Sequence, residues 1–193
     1  MTRMLIIGPP GSGKGTQAER ISARLGVVAI STGEIFRVNV KGQTRLGLEA
    51  RKCMDAGDFV PDSVTNKMLR NRLSGPDVGT GFMLDGYPRT VAQVDYLDQF
   101  LAERGQELDA VLQLSAGNEE LVARLLGRAK ETGRSDDNEA IIRHRLDLYH
   151  EQTNAVVDQY ARRGILTRVD GMGSLEEVTE RVLGCVESLM KAA

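Results

Sequence analysis

Tryptophan is absent from the 193 residues, and with four phenylalanines and four tyrosines the aromatic share is only 4%. The side chain most used to anchor protein interfaces is therefore missing. Cysteine is almost as scarce. Cys53 and Cys185 stand far apart and form no C-x-x-C pair, which excludes a disulfide framework and a cysteine-built zinc site and leaves both as expected inert helix residues. No apolar run approaches the roughly 20 residues needed to span a bilayer. The first residues lead directly into an apolar strand pattern with nothing like a leader before it, so a cytoplasmic protein with no membrane partner is expected. Neither sign of charge dominates, with 25 Lys and Arg against 27 Asp and Glu and a formal net charge of −2. A nucleic-acid surface is not expected, and any working positive charge must be local. The two histidines, His144 and His150, both fall in one helical pattern as expected surface residues, which leaves no histidine near the motifs below to act as a general base.

What the chain has is a phosphate-binding signature. Leu5-Ile6-Ile7 runs straight into Gly8-Pro9-Pro10-Gly11-Ser12-Gly13-Lys14-Gly15-Thr16, an apolar strand, a glycine-rich turn and the start of a lysine-led helix. Gly8, Gly11 and Gly13 are expected to take positive φ so that successive N–H groups aim at one anion, with the helix N-terminus behind them. The usual pattern places Ser or Thr directly after the lysine. Gly15 holds that place here and Thr16 follows, so direct hydroxyl ligation of magnesium is not expected.

Short apolar runs at Met4 to Ile7, Val27 to Ile30, Gly81 to Leu84, Ala110 to Leu114 and Ile165 to Val169 read as buried strands separated by helical patterns. Runs apolar on both faces imply an α/β fold with a parallel sheet covered on both sides and right-handed crossovers. The span from Asn138 to Arg163 carries apolar residues at helical spacing and is expected to form one long helix bracing the sheet. About fifty residues separate the second and third strands, interrupted by Gly42, Gly57 and Pro61, too many for one crossover helix. A small helical insertion is expected there. From Gly127 to Asn138 charge and turn formers dominate, which predicts a short mobile loop between two helices.

Three further groups carry chemistry. In Gly81-Phe82-Met83-Leu84-Asp85-Gly86-Tyr87-Pro88-Arg89-Thr90 an apolar strand ends in an acid and a tight turn bearing an arginine. An acid there suits magnesium held through waters, because ligands of open α/β sheets gather beyond the carboxyl ends of the strands. Ser31-Thr32-Gly33-Glu34-Ile35-Phe36-Arg37 repeats the strand-to-helix theme with a hydroxyl and an arginine one turn on. Arg124, Arg128, Arg134 and Arg145 flank the expected loop, with Asp136 and Asp137 between them. Their planar donor forks suit phosphoryl oxygens and the charge on a transferring phosphoryl group.

These pieces resemble, over essentially the whole chain, the adenylate kinases within the nucleoside monophosphate kinases. The matching motifs in order are G-P-P-G-S-G-K-G-T-Q at Gly8 to Gln17, S-T-G-E-I-F-R at Ser31 to Arg37, D-G-Y-P-R-T-V-A-Q at Asp85 to Gln93, and G-R-S-D-D-N at Gly133 to Asn138. The resemblance implies a P-loop three-layer fold with a central five-stranded parallel sheet. It divides the chain into a core of residues 1–30, 61–127 and 139–193, a monophosphate-binding insertion of residues 31–60 and a short lid of residues 128–138. It implies reversible phosphoryl transfer from MgATP to AMP giving two ADP, by a monomer that balances adenine nucleotides. ATP falls to Gly11, Ser12, Gly13, Lys14, Gly15 and Thr16 with Arg128 and Gly173, the last standing where some relatives have a lysine whose backbone meets adenine. AMP falls to Thr32, Arg37, Asp58, Phe59, Val60, Gly86, Arg89, Gln93, Arg134 and Arg145. Catalysis falls to Lys14, Arg89, Arg124, Arg134, Arg145 and Asp85, the acid ordering magnesium waters. The short lid lacks the insertion that carries zinc in some relatives, so no structural zinc is implied. Two rivals are weighed. UMP/CMP kinases generally place Ala at the Thr32 position and Asn at the Thr90 position, so both residues here favour AMP. A GTP-dependent switch needs Asn-Lys-x-Asp, which Asn66-Lys67-Met68-Leu69 fails at its last residue.

Overall fold

Five runs rich in Val, Ile, Leu and Met become the strands β1 (Thr2–Ile7), β2 (Val28–Ser31), β3 (Gly81–Asp85), β4 (Ala110–Ser115) and β5 (Leu166–Asp170) of a computed structural model that describes residues 2–134 and 136–192. Every ladder is parallel and the order is β2-β3-β1-β4-β5. β2, β3, β4 and β5 each run one residue beyond the expected carboxyl end, β1 starts two residues earlier than expected, and β2 and β5 start one residue later. Ladder bonds continue through polar Ser31, Asp85, Ser115 and Asp170, where apolar pattern alone had stopped.

The central strand β1 shows why the sheet is apolar on both faces. Leu5 and Ile7 enter one core with Leu69, Leu97, Val156 and Tyr160, while Met4 and Ile6 enter the other with Ile21 and Val182. The first core is supplied by helices α4 (Asp62–Leu73), α5 (Val91–Ala102) and α8 (Asn154–Arg162); the second is supplied by α1 (Lys14–Leu25) and α9 (Leu175–Ala192). Helix, sheet and helix thus form three layers. Each fully buried aliphatic chain contributes about 1.5–3 kcal/mol relative to exposure, so the site stands on a stiff platform.

Between β2 and β3 lie α2 (Thr32–Lys41), α3 (Arg45–Ala56) and α4, and Phe36, Ala50, Val60 and Met68 give them a small core of their own. Ser31 and Thr44 cap α2 and α3 through side-chain oxygens that accept from Glu34 N and Gly47 N. The loop expected from Gly127 onward starts later. Helix α6 (Asn118–Thr132) continues through Ala129, Lys130 and Glu131, all sound helix formers, and stops at Gly133 in the left-handed region with φ 62°. Ser135 of the expected lid, like Met1 and Ala193, lies outside the described residues. The long helix expected from Asn138 is helical throughout but not uniform. α7 (Glu139–Leu148), capped by Asn138, passes through a π-helical turn at Tyr149–Thr153 into α8. Among the described residues no helix is long and apolar enough to cross a membrane.

Candidate functional site

The carboxyl ends of β2, β3 and β1 lie side by side, and the glycine-rich loop rises from the last of them into α1. Gly11 and Gly13 take the expected positive φ, 84° and 87°. Gly8 does not. A Cβ there would sit 2.6 Å from the Leu114 carbonyl oxygen, so Gly8 is required by the close approach of β4. Lys14 folds back over the loop and its Nζ donates to the Pro9 carbonyl at 2.8 Å. Burial pushes its ammonium down to about 8; Asp85 opposes that shift, and the cations of Arg89, Arg145 and Arg128 reinforce it. An anion arriving here meets a lysine short of negative partners. Asp85 lies across from Ile6 in the ladder, accepts from Ser31 Oγ at 3.2 Å, and faces the position of Gly15.

Two adjoining cavities open beyond these strand ends, one of about 140 Å³ and one of about 570 Å³. The smaller is lined by Thr32, Asp58, Phe59, Val60 and Gln93 together with Phe36 and Met54. The larger is lined by Gly11, Gly13, Gly15, Thr16 and Asp85 together with Arg124, Arg128 and Arg134. Lys14, Arg37, Gly86, Arg89 and Arg145 line both, so the two spaces meet at a wall of four cations. Two expected contacts lie off these linings. Ser12 is buried with its hydroxyl unpartnered beneath the loop, and Gly173 sits in the turn after β5, where φ 106° and the neighbouring Glu177 carboxylate leave no room for a side chain.

Arg89 is held from several sides. Its N–H donates to Gln93 Oε1 at 2.8 Å, its Nε donates to the Gly86 carbonyl at 2.8 Å, and its guanidinium stands 5.2 Å over the Phe59 ring. Thr153 Oγ1, turned inward by the π-helical turn, donates to the Arg89 carbonyl at 3.1 Å. Burial, followed by Arg145, lowers the Arg89 guanidinium to about 10, against the opposing pull of Asp85. Nothing in the sequence singled out Thr153, because a hydroxyl in a helical run carries no signal of a partner 64 residues away. Thr32, read from the sequence as a base contact, is buried and directs its proton to the Gly86 carbonyl at 2.9 Å, leaving only oxygen lone pairs for a ligand.

Three of the four flanking arginines already hold carboxylates or carbonyls. Arg128 grips Asp137 bidentately with both contacts at 2.7 Å. Arg145 reaches Asp136 at 2.8 Å and Asp137 at 3.1 Å. Burial works against the Asp137 carboxylate, but the Arg128 fork and the charges of Arg128, Arg145 and Arg134 outweigh it and hold the group below its ordinary range. Arg124 pairs with Glu120 and donates to the Gly171 carbonyl, and Arg37 pairs with Glu34 one turn earlier. Arg134 has no carboxylate partner among the described residues, and burial, then Arg37 and Arg128, lowers its guanidinium. The arrangement is a cleft in which internal acids neutralise cations that a polyanion would otherwise claim.

Comparison with known proteins points the same way. Residues 6–165 match the family model described as adenylate kinase. Over 192 residues, spanning all of both chains, the sequence is 74% identical to a protein of Pseudarthrobacter chlorophenolicus named adenylate kinase. It is 67% identical over the same span to one from Renibacterium salmoninarum, and 66% identical to one from Kocuria rhizophila over 97% of this chain and all of the relative, both with that name.

Proposed function

Since the chain belongs to the adenylate kinase family and is accordingly a phosphotransferase acting between adenine nucleotides, we propose that the larger cavity takes MgATP, the smaller takes AMP, and the cations between them carry the transfer. The observation that supports this assignment is the meeting of the two cavities at Lys14, Arg37, Arg89 and Arg145. A donor and an acceptor phosphate entering from opposite sides converge there. In the step, a non-bridging oxygen of the AMP phosphate bonds to the γ-phosphorus of ATP while the bond from that phosphorus to the β–γ bridging oxygen breaks, giving two ADP. The attacking oxygen is already ionised at neutral pH, so no side chain need take a proton. Positioning and charge do the work.

On this reading Gly11, Gly13, Gly15 and Thr16 cradle the donor phosphates by their backbone, with Lys14 on the oxygens. Arg37 and Arg89 hold the acceptor phosphate, and Arg124, Arg128, Arg134 and Arg145 surround the transferring group. Asp85 suits magnesium that arrives with ATP: its Oδ2, which accepts from Ser31 Oγ, faces Gly15, and the metal would supply charge neutralisation on the donor phosphates. Closure of the insertion, residues 31–60, and of the lid, residues 128–138, excludes water and so suppresses ATP hydrolysis. The chain works as a cytoplasmic monomer, and its lid, free of Cys and His, holds no structural zinc. ADP formation from ATP with AMP, UMP, CMP and GMP in turn tests the assignment. AMP is expected to be used best; preferred use of a pyrimidine monophosphate, or turnover independent of any monophosphate, overturns it.

A further inference from the structure

The amide of Gln93 is nearly symmetric in shape, yet its two ends have opposite hydrogen-bonding character. In the smaller cavity Gln93 is 2% exposed, so water does not compete for it. Its Nε2 donates to Asp62 Oδ1 at 2.6 Å and its Oε1 accepts from Arg89 N–H at 2.8 Å. A carboxylate only accepts and a backbone N–H only donates, so each neighbour independently dictates the same orientation. Turning the amide over would set oxygen against carboxylate and NH2 against N–H. Asp62 is itself fixed. It opens α4, and its Oδ2 accepts from Thr90 Oγ1 at 3.0 Å at the start of α5, so it is held between two helix N-termini.

From this geometry we infer that Asp62 is a positioning residue for base selectivity, acting together with Arg89 N–H to fix which way Gln93 faces. The inference rests on the reading of the smaller cavity as the monophosphate site. One N–H and one lone pair of Gln93 remain for a base. Adenine offers an amino donor beside a ring-nitrogen acceptor. Hypoxanthine has the same size and outline but offers a carbonyl acceptor beside a ring N–H donor, the pattern a turned-over amide would match. An amide free to turn serves both bases; one held by Asp62 and Arg89 N–H serves adenine. A site whose buried polar groups are left unpaired rejects a ligand far more strongly than one that adapts.

Asp62→Asn tests this, because an asparagine turns to offer either oxygen or NH2 to Gln93 and so removes one of the two penalties on the turned-over amide, leaving only that at Arg89 N–H. The measurement is kcat/KM with AMP and with IMP as acceptors and MgATP as donor, beside the binding of each monophosphate by calorimetry and a melting curve. The AMP-to-IMP ratio is expected to fall at least tenfold, about 1.4 kcal/mol of lost discrimination. Asp62→Ser, whose hydroxyl also donates or accepts, gives the same direction if the asparagine variant folds poorly. Proportionate loss with both acceptors, which is all that a structural role produces, or an unchanged ratio in both variants overturns the role of Asp62. A wild-type protein inactive on every monophosphate removes instead the reading beneath it.

Discussion

Replacing Asp137 by asparagine separates two descriptions of the lid cations. The carboxylate is fully buried, and it accepts both arms of Arg128 at 2.7 Å and one contact from Arg145 at 3.1 Å. Removing one partner of a buried ion pair typically costs about 3–5 kcal/mol. Here the side chains of Arg128 and Arg145 keep 30% and 20% of their exposure, so water relieves part of the loss and about 2–3 kcal/mol is expected. For a chain of this size that lowers Tm by about 5–10 °C in the ligand-free protein at neutral pH. Saturating ATP should narrow the gap, since phosphate oxygens replace the carboxylate on the freed guanidinium groups. Acid should narrow it too. The Asp137 carboxyl has a folded value below its unfolded one, so its stabilisation is complete above the ordinary carboxylate range near pH 4 and disappears as pH falls through the lowered value. Thermal unfolding of both proteins at pH 7 and in acid, with and without ATP, measures all three effects. Melting within about 1 °C of wild type at pH 7, or a gap that ATP widens, refutes the picture of Asp137 as an internal stand-in for phosphate.

Local features of this site were legible and long-range ones were not, for a physical reason in each case. Gly11, Gly13 and Lys14 belong to one short loop whose shape is set by its own backbone conformation, so the sequence carries that shape. The strands were legible because burial on both faces leaves a continuous apolar run, as in Met4-Leu5-Ile6-Ile7. Their last residues were not, since ladder bonds do not depend on side-chain polarity. The end of α6 was misread because Lys130 and Glu131 suit a solvated helix as well as a loop. The π-helical turn changes which backbone groups pair while leaving apolar spacing almost intact, so Tyr149 was legible as part of the apolar stripe whereas Thr153 gave no warning of facing inward beside it. Asp62 stands in the first turn of α4, a common place for an acid, and its own sequence neighbourhood carries no signal of Gln93. Its bond to Gln93 spans 31 residues and exists only because the fold brings two helix N-termini together.

In the ligand-free protein Lys14 titrates at about 8, below its ordinary 10.5, so its burial is less unfavourable to folding as pH rises across that interval. Phosphates restore the charged form, hence nucleotide binding near pH 8.5 should take up protons and weaken as pH rises; calorimetry in buffers of different ionisation enthalpy showing no uptake would contradict this. Arg89→Lys keeps the charge but loses the fork and the seat over Phe59, so AMP handling should suffer while ATP affinity holds, and steady-state kinetics showing a defect confined to ATP would move Arg89 to the donor side. Arg134 offers the sharpest asymmetry, because it alone among the four flanking arginines has neither a carboxylate nor a carbonyl partner among the described residues while lining the larger cavity. With no internal bond to give up among the described residues, it is expected to meet phosphate as the proposed lid closes and so to stabilise the transition state more than the bound ground state. Arg134→Ala should therefore lower kcat by about 10²–10³, the usual effect of losing one preorganised charge, while ATP affinity measured by calorimetry changes only a few-fold. Equal losses in turnover and affinity would instead mean that Arg134 already holds ATP in the open state, and closure would then owe nothing to it.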